Sequence, residues 1–236
     1  MKWKNIINGI FELLFPKRCL GCNEVGSFLC GECLKEVRFL EKQLCPNCKK
    51  ESFAGMFCRK ECGNEFFFDQ LIVCSEYEKT SVLRKLITTF KYKFVEELCT
   101  LLGEMLRTQM TYFSQFQDFS GFLIVPVPLH KKRLKFRGFN QAKVLGEYLG
   151  KIMGIPLFDC LKRVKFEKTQ AKLKRKERLS NLKNAFEMKA EENVMGKSIL
   201  LLDDVATTGT TLNECSRILK DFGAKYICCL TIARGA

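Results

Sequence analysis

The sequence contains one histidine, His130, and no run of apolar residues near the roughly 18 that a membrane-spanning helix needs. Because no suitable partner lies near His130 in the sequence, a nucleophilic triad is not indicated. The chain also lacks a P-loop, since its one Gly-Lys-Ser run, residues 196–198, has Glu191 where the motif requires its first glycine. Its 47% hydrophobic and 28% charged residues are enough to form a core, which excludes a disordered or collagen-like chain.

The amino terminus is apolar but does not read as an export signal. Residues 1–16 place two lysines ahead of seven large apolar residues, and Glu12 interrupts the apolar run. Because no small-residue cleavage site follows, we expect a short amphipathic helix that docks on the protein body or lies on a membrane surface, with docking favoured. We therefore expect a cytoplasmic protein whose cysteines are reduced and available for metal.

Positive charge is concentrated in one part of the chain. The 236 residues include 40 Lys and Arg against 26 Asp and Glu, a net charge of +14. Residues 121–190 contain 18 basic and 5 acidic residues and so account for +13 of it. A solvated surface would spread its lysines more evenly, so this stretch indicates a partner that is anionic, such as nucleic acid, a phosphorylated small molecule or acidic lipid.

Eight of the 14 cysteines lie before residue 63 in four closely spaced pairs. Two thiolates separated by two residues lie on one tight turn, and two such turns complete a tetrahedral four-thiolate site. The sequence therefore predicts two structural zinc ions, with a sequential or a cross-braced pairing of the four turns, the sequential one being slightly favoured. The predicted ligands are Cys19, Cys22, Cys30, Cys33, Cys45, Cys48, Cys58 and Cys62. The other six cysteines lie in apolar segments and are expected to be buried thiols, at positions 74, 99, 160, 215, 228 and 229.

Beyond residue 68 the Cys-rich pattern gives way to apolar runs that alternate with amphipathic segments. The short apolar runs predict strands over residues 71–74, 122–127, 199–202 and 226–232. Helical periodicity predicts helices over residues 81–92, 96–112, 140–153 and 212–222. This alternation indicates an α/β fold, a mostly parallel sheet with helices on both faces. We therefore expect a Cys-rich module over residues 1–68 and an α/β domain over residues 69–236.

The most specific motif follows the predicted strand 199–202. Two adjacent carboxylates, Asp203 and Asp204, lead into a turn of small hydroxylated residues and then directly into a helix. At the carboxyl end of a parallel strand, the amides of such a turn and of the helix terminus favour a phosphate. The two acids suit neighbouring ribose hydroxyls, directly or through magnesium. The alternative, a capped helix after a plain turn, explains one Asp or Thr but not the whole set, which also includes Ala206, Thr207, Thr208, Gly209, Thr210 and Thr211.

Several motifs together resemble one branch of a known superfamily. The stretch from Asp203 to Thr211 resembles the phosphoribosyl pyrophosphate (PRPP) signature of type I phosphoribosyltransferases. Residues 125–133, residues 137–141 and the segment from Arg163 to residue 186 are similar to the ComF/GntX branch, and the paired cysteines resemble its double zinc ribbon. The resemblance runs from about residue 15 to residue 234, and the pair Cys58-x3-Cys62 departs from it by one extra residue.

The resemblance implies a type I phosphoribosyltransferase-like domain that binds PRPP with magnesium, behind a zinc-ribbon module. Asp203 and Asp204 would then hold the ribose hydroxyls, and residues 206–211 would surround the 5′-phosphate. The pyrophosphate would face Lys131, Arg133 and Arg137. The basic segment 161–183 is interpreted as a mobile hood over an anionic site or as an arm that contacts nucleic acid. His130 is either a pyrophosphate contact or a plain loop residue.

Two functions stay open on this basis. The resemblance implies a cytoplasmic competence protein that handles single-stranded DNA during natural transformation, beside a ComF-type helicase, with PRPP as ligand or regulator. The alternative is an active phosphoribosyltransferase that modifies an unidentified base or small molecule in nucleotide metabolism. No acceptor pocket can be read from the sequence. Salt-dependent DNA binding and release of pyrophosphate are the measurements that separate the two functions.

Overall fold

The computed structural model describes residues 16–77, 81–93, 96–165, 184–189 and 193–235. The predicted amino-terminal helix and most of the basic segment 161–183 fall outside these residues. In the part of the chain that is described, no helix combines the length and the apolar character required to cross a lipid bilayer.

The Cys-rich part consists of short elements joined by turns. They are α1 (Gly31–Lys35), β1 (Gln43–Leu44), β2 (Glu51–Ser52), a 3-10 turn (Phe53–Gly55) and α2 (Lys60–Gly63), and β1 pairs with β2 in an antiparallel hairpin. Elements this short bury little apolar surface, so they depend on the metal clusters described below and on packing against the rest of the chain.

Longer strands and helices alternate through the remainder of the chain. The elements are β3 (Gln70–Tyr77), α3 (Val82–Tyr92), α4 (Glu96–Ser114), β4 (Phe122–Pro126), α5 (Lys131–Arg137), α6 (Gln141–Met153), β5 (Leu161–Arg163), β6 (Phe186–Met188), β7 (Ser198–Ala206), α7 (Thr210–Asp221) and β8 (Tyr226–Gly235). The four helices predicted from periodicity correspond to α3, α4, α6 and α7, each with its ends within two residues of the prediction.

Four parallel strands form the central sheet in the order β3-β8-β7-β4. Neighbouring residues of each strand point to opposite faces, and both faces are apolar. Leu200 and Leu230 pack with α3, α4 and α6 on one face, whereas Leu201 and Cys229 pack with α7 on the other. The predicted α/β fold, a parallel sheet with helices on both faces, is confirmed.

Strand β7 is longer than the prediction for residues 199–202. Its pairing with β4 ends at Leu202, but its pairing with β8 continues through Asp203, which lies opposite Thr231, to Ala206, which lies opposite Arg234. The prediction ended the strand at the first carboxylate because a buried strand was expected to be wholly apolar. Polar residues can occupy this end of β7 because it pairs with β8 alone there, and its other edge opens onto the site described below.

Two features of the fold have no counterpart in the predicted elements. Helix α5 follows β4, begins at the cap residue His130 and ends at Gly138, which has the left-handed φ of 83°. Strands β5 and β6 form a separate antiparallel pair in which Arg163 lies opposite Phe186. Helix α5 and strands β5 and β6 are too short for apolar periodicity to identify them, which is why the sequence did not predict them.

The Cys-rich part covers the outer edge of β3. Gln43 donates through Nε2 to the Val73 carbonyl at 2.9 Å and accepts the Val73 amide through Oε1 at 2.8 Å. The Leu40 amide donates to the Cys74 carbonyl at 2.8 Å. An edge strand with unpaired amides invites pairing with another chain, so this cover protects the sheet. The predicted module boundary at residue 68 stays a prediction.

Candidate functional site

The eight cysteines predicted as zinc ligands form two clusters in sequential order. One cluster contains Cys19, Cys22, Cys30 and Cys33, the other contains Cys45, Cys48, Cys58 and Cys62, and the sulfur atoms within each cluster lie within 4.8 Å of one another. Tetrahedral zinc with bonds of about 2.3 Å requires sulfur atoms about 3.8 Å apart. The Sγ–Sγ distances of 3.6 Å for Cys22–Cys30, 3.3 Å for Cys48–Cys58 and 3.7 Å for Cys58–Cys62 fit this requirement.

The first cluster contains one thiol, Cys19, whose surroundings favour the thiolate. The Sγ of Cys19 accepts the amide hydrogens of Cys30 and Gly21, each at 3.4 Å, and these hydrogen bonds lower the pKa of Cys19 to about 6. A lowered pKa favours the thiolate, which is the form that binds zinc. Four thiolates complete the coordination of each ion, so the clusters are structural sites without an open position for catalysis.

The longer pair Cys58-x3-Cys62 is accommodated by a short helix. Cys62 lies within α2, and its amide donates to the Arg59 carbonyl at 3.1 Å. The side chain of Asn47 donates to the Cys62 carbonyl at 3.1 Å, which joins the two turns of the second cluster. The extra residue therefore forms part of a helical turn and leaves the cluster intact.

The other six cysteines are buried, as predicted. Loss of hydration raises the pKa of Cys99 to about 11. It also raises the pKa values of Cys74, Cys215, Cys228 and Cys229. The sixth thiol, that of Cys160, lies within the apolar core. A buried neutral thiol packs like a small apolar side chain.

A polar cleft opens at the carboxyl ends of β4 and β7. Its volume is about 130 Å³, and its walls include both carboxylates of the predicted motif, Asp203 and Asp204. Four cationic side chains from three different elements share these walls, namely Lys91 of α3, Arg133 and Arg137 of α5, and Arg163 of β5. The carboxyl edge of a parallel sheet is where α/β folds bind ligands, and this cleft lies on that edge.

The two carboxylates differ in their surroundings. Lys91 Nζ lies 3.0 Å from Asp204 Oδ2, and Asp204 is buried. Asp203 has no such ion pair in the described part of the chain, and its Oδ1 accepts the Asp204 amide at 2.8 Å. Burial, together with the negative charge of Asp204, raises the pKa of Asp203 to about 7. Near neutral pH the Asp203 carboxyl group is therefore only partly ionised.

The turn after β7 has the geometry expected for a phosphate site. Gly209 has a φ of 73°, in the left-handed region that favours glycine, and Thr208 Oγ1 lies 2.8 Å from Thr210 Oγ1. Among the described residues, no backbone hydrogen bond outside the helices and strands uses the amides of residues 207–209. These amides and the start of the 12-residue helix α7 are thus available to an anion.

The turn residues do not all line the cleft. Thr211 lies in its wall, whereas Ala206, Thr207, Thr208, Gly209 and Thr210 form the adjoining end of β7, the turn and the first residue of α7. The ribose and phosphate contacts implied by the resemblance thus fall on neighbouring surfaces at the same edge of the sheet.

The three predicted basic residues are divided between two depressions. Arg133 and Arg137 line the cleft, while Lys131 lines a neighbouring groove of about 680 Å³. His130 also lines this groove, where its Nδ1 accepts the Lys132 amide at 3.2 Å and so caps α5. Burial and the charge of Arg163 lower the pKa of His130, which favours the neutral form that a cap requires.

Lys91 and Gln141 were not among the predicted site residues. Gln141 Nε2 donates to the Lys91 carbonyl at 3.1 Å, and its Oε1 accepts from Arg137 at 3.1 Å, so one buried amide joins α3, α5 and α6. In the sequence, Lys91 is a lysine in the last turn of an amphipathic helix, which is an ordinary position for an exposed cation. No local signal distinguishes it, and its role depends on where α3 ends relative to β7.

Arg163 enters the cleft from the small β5–β6 pair. Its guanidinium lies 5.2 Å from the ring centroid of Phe186 on the paired strand, a cation–π contact that holds it in place. The sequence marked Arg163 as part of the basic segment 161–183. Of that segment, the structure describes residues 161–165, and the predicted hood or arm over residues 166–183 lies outside the described chain.

Comparison with known proteins identifies similar sequences over most of the chain. A phosphoribosyl transferase domain model matches residues 137–236, and a double zinc ribbon domain model matches residues 10–76. The chain is 33% identical to Competence protein F of Haemophilus influenzae over 226 residues, which cover 88% of this chain and 97% of that protein. It is 30% identical to Competence protein ComFC of Bacillus subtilis over 199 residues, 83% of this chain and 79% of that one. It is also 30% identical to the DNA utilization protein YhgH of Escherichia coli over 206 residues, 84% and 87% of the two chains.

Proposed function

Because this chain belongs to the ComF family of competence proteins, with a double zinc ribbon and a phosphoribosyl transferase domain, we propose that its cleft binds PRPP or a related ribose phosphate with magnesium. We further propose that it handles single-stranded DNA in the cytoplasm during natural transformation. The proposed binding of a ribose phosphate is supported by the cleft itself, in which two adjacent carboxylates are surrounded by four cationic side chains.

The ligand is oriented by the separation of charge within the site. Asp203 and Asp204 accept hydrogen bonds from the ribose hydroxyls, for which vicinal carboxylates are suited, and the amides of residues 207–209 receive the 5′-phosphate. Arg133 and Arg137 offer planar, permanently charged guanidinium groups to the pyrophosphate. Phosphate groups are repelled by the acids and attracted by the arginines, so the opposite orientation is disfavoured.

Magnesium fits the donor set of this cleft. Carboxylate and phosphate oxygens are the ligands that magnesium prefers, and Asp203 and Asp204 supply the carboxylates. When bound, the ion would neutralise negative charge on the pyrophosphate. Because Lys91 already lies 3.0 Å from Asp204 Oδ2, the metal and the lysine compete for that oxygen.

Calorimetry of the full zinc-loaded protein tests the ligand proposal. PRPP is titrated with and without magnesium into the wild type and into Asp204→Asn, which keeps the shape of the side chain but removes its charge. We expect affinity to fall at least about 10-fold in the variant, because a charged hydrogen-bond acceptor is lost. Asp221→Asn, at the far end of α7, is the matched control and should bind as the wild type does. Equal affinity of Asp204→Asn and the wild type would refute the assigned cleft.

The concentration of positive charge supports the DNA proposal. Residues 121–190 carry +13 of the net +14, and the described part of this stretch borders the cleft. A polyanion that binds there releases counterions, so its affinity must fall steeply with salt. Binding of a fluorescent oligothymidylate is therefore measured by anisotropy at increasing salt, and the absence of binding at low salt would refute this role.

An active transferase is the second candidate, and the groove beside the cleft favours it. This groove of about 680 Å³ shares Pro128, Leu129, Asn140 and Arg163 with the cleft, so a second molecule has room next to a bound ribose. In such a reaction an acceptor forms a bond to C1 of the ribose, the bond from C1 to the pyrophosphate oxygen breaks, and pyrophosphate leaves with the electron pair. Release of pyrophosphate with a panel of bases, amines and nucleic acids would establish this activity, and the lack of release would exclude it.

A further inference from the structure

Helix α5 has an unusual composition for a helix next to a small-molecule cleft. Five of its seven residues are lysine or arginine, and one of the other two is Phe136. The side chain of Phe136 is 79% exposed, the largest exposed fraction of any large apolar residue in the part of the chain that the structure describes. Single exposed apolar side chains are common on protein surfaces, so the exposure of Phe136 becomes informative through the groups that surround it.

The helix presents two different faces. Arg133 and Arg137 are half-buried and line the cleft, and they are four residues apart, so they lie on one face of the helix. Lys132, Lys135 and Phe136 are exposed, and because their spacings are three and four residues they share a second face. Both ends of the helix are capped, by His130 and by Gly138, so the division between the faces is held in place.

A second exposed aromatic residue extends the outward face. Tyr92, at the end of α3, is 58% exposed, and its ring lies edge-on to Phe136 with the centroids 6.4 Å apart. The Arg137 guanidinium lies 5.5 Å from the Tyr92 ring centroid, which connects the outward face with the cleft. Exposed Lys93 follows Tyr92 directly. The outward surface of Tyr92, Lys93, Lys132, Lys135 and Phe136, here called the α5 surface, thus combines aromatic rings with positive charge.

We propose that the α5 surface is the docking site for single-stranded nucleic acid, with bases stacking on Phe136 and Tyr92 and phosphates contacting Lys132, Lys135 and Lys93. This inference rests on the DNA role proposed above and assigns it to particular residues. Aromatic faces stack on unpaired bases of any sequence, and neighbouring lysines track the phosphates, which is the combination that non-specific single-strand binding requires. The bases of duplex DNA are already stacked on one another, so they cannot stack on an exposed phenylalanine.

Anionic lipid is a weaker match for the same surface. A helix of seven residues is about 10 Å long, and with Leu134 and Phe136 it has two exposed apolar residues to insert among lipid chains. Amphipathic helices that bind membranes bury a continuous apolar face over several turns. The edge-on aromatic pair and the surrounding cations fit a polynucleotide better.

The two faces of α5 separate binding of the ribose-phosphate ligand from binding of DNA, whereas the sequence indicated one basic stretch for an anionic partner. The predicted basic contacts Arg133 and Arg137 belong to the cleft and serve the ribose-phosphate ligand. Lys132, Lys135 and Phe136 lie on the outward face and contact the DNA. Each function should therefore be removable without the other, although both depend on one short helix.

The test measures anisotropy of a labelled oligothymidylate of roughly 16 nucleotides with the full zinc-loaded protein. We expect Phe136→Ala to weaken binding about 10-fold and Phe136→Trp to retain it, because tryptophan stacks on bases as well. The matched control is Phe222→Ala, which removes a phenylalanine that is 48% exposed beyond the far end of α7. Wild-type affinity in Phe136→Ala, or the same loss in Phe222→Ala, would overturn the proposal.

The salt dependence tests the phosphate contacts. Lys132→Ala/Lys135→Ala should lower the slope of log affinity against log salt by about 1.4, since each single-strand phosphate contact contributes about 0.7. Lys197→Ala/Lys225→Ala removes the same charge at the opposite edge of the sheet and should leave the slope unchanged. Equal slopes in the two double variants would overturn the assignment to α5.

Parallel titrations distinguish this inference from the proposed function. The outward-face variants should bind magnesium and PRPP as the wild type does, whereas Arg133→Ala/Arg137→Ala should bind PRPP weakly. Wild-type protein that binds no oligothymidylate at low salt would remove the DNA role together with its site, while PRPP binding would still stand. Equal affinity for duplex and single strand would overturn the base stacking. Loss of binding to phosphatidylserine vesicles in Phe136→Ala, with oligothymidylate binding intact, would assign the surface to lipid instead.

Discussion

At the scale of single residues, Asp203 has an environment that opposes its own charge. It lies partly buried beside Asp204, and these two influences raise its pKa to about 7, while the positive charges of Lys91 and Arg163 act in the other direction. Asp204, by contrast, has a direct partner in Lys91 at 3.0 Å. Two adjacent carboxylates with different environments commonly mark a functional site, because structural acids are usually paired or hydrated.

This environment predicts a pH dependence of ligand binding. A ligand that contacts ionised Asp203 must displace a proton when the pH lies below about 7. Affinity for magnesium and PRPP should therefore rise by up to about 10-fold per pH unit as the pH increases towards 7, and level off above it. Calorimetry from about pH 5.5 to pH 8.5 measures this.

Asp203→Asn is the control for the pH prediction, because the phosphates of the ligand also titrate near pH 6. Subtracting the profile of the variant isolates the contribution of the carboxyl group. If both proteins show the same profile, Asp203 does not titrate on binding.

At the scale of elements, the first zinc cluster depends on a turn that has no room for a side chain. A Cβ added at Gly21 would overlap the Sγ of Cys33 across the cluster, and it would also lie close to the side chain of Val82. Gly31, in α1 near the same cluster, has open space where a Cβ would go. The two glycines provide a matched pair with opposite expectations.

Gly21→Ala should displace Cys33 and release zinc from the first cluster, while Gly31→Ala should keep it. We expect the zinc content of Gly21→Ala to fall from two ions per chain towards one, because the second cluster has its own four ligands. Native mass spectrometry counts the bound ions. A full complement of zinc in Gly21→Ala would show that the turn can rearrange around the added methyl group.

The sequence predicted some elements better than others, for identifiable reasons. Helices α3, α4, α6 and α7 were predicted because each has several turns of apolar periodicity. Strand β7 was predicted too short, since its carboxyl end carries Asp203 and Asp204, whose polarity suggested a loop. Helix α5 was missed because seven residues, five of them cationic, contain too little apolar pattern to detect.

At the scale of the whole molecule, the zinc-ribbon part and the sheet are joined by hydrogen bonds at the edge of β3. Gln43 is 2% exposed and satisfies both the amide and the carbonyl of Val73, and its Nε2 also lies 3.1 Å from the Leu40 carbonyl. Gln70 Nε2 donates to the Ala54 carbonyl at 2.7 Å further along the strand. The Gln43 side chain thus supplies at Val73 the hydrogen bonds that a neighbouring strand would make on the outer edge of β3, the edge opposite β8.

Gln43→Ala should destabilise the protein by about 2 kcal/mol or more, because it leaves buried backbone groups of Val73 without partners. Urea unfolding followed by circular dichroism measures the change. Lys42→Ala, at the adjacent exposed position, removes only a surface ion pair with Glu51 and should change stability by less than about 0.5 kcal/mol. Similar unfolding midpoints for the two variants would mean that β3 is held in some other way.

The sequence by itself determined the features that depend on local spacing. Cysteine pairs separated by two or three residues form chelating turns, and apolar periodicity selects helix or strand. The two clusters, the parallel sheet and the acidic motif before a threonine turn follow from such local patterns.

Only the tertiary structure decided which distant residues meet. Lys91 reaches Asp204, and Arg163 enters the same cleft, because α3, β5 and β7 all end at one edge of the sheet. The division of α5 into a cleft face and an outward face has the same origin, since the helix is cationic all round and its neighbours decide which side is covered. Spacing along the chain encodes contacts within a turn or two, whereas proximity across more than 100 residues arises from the packing of the core.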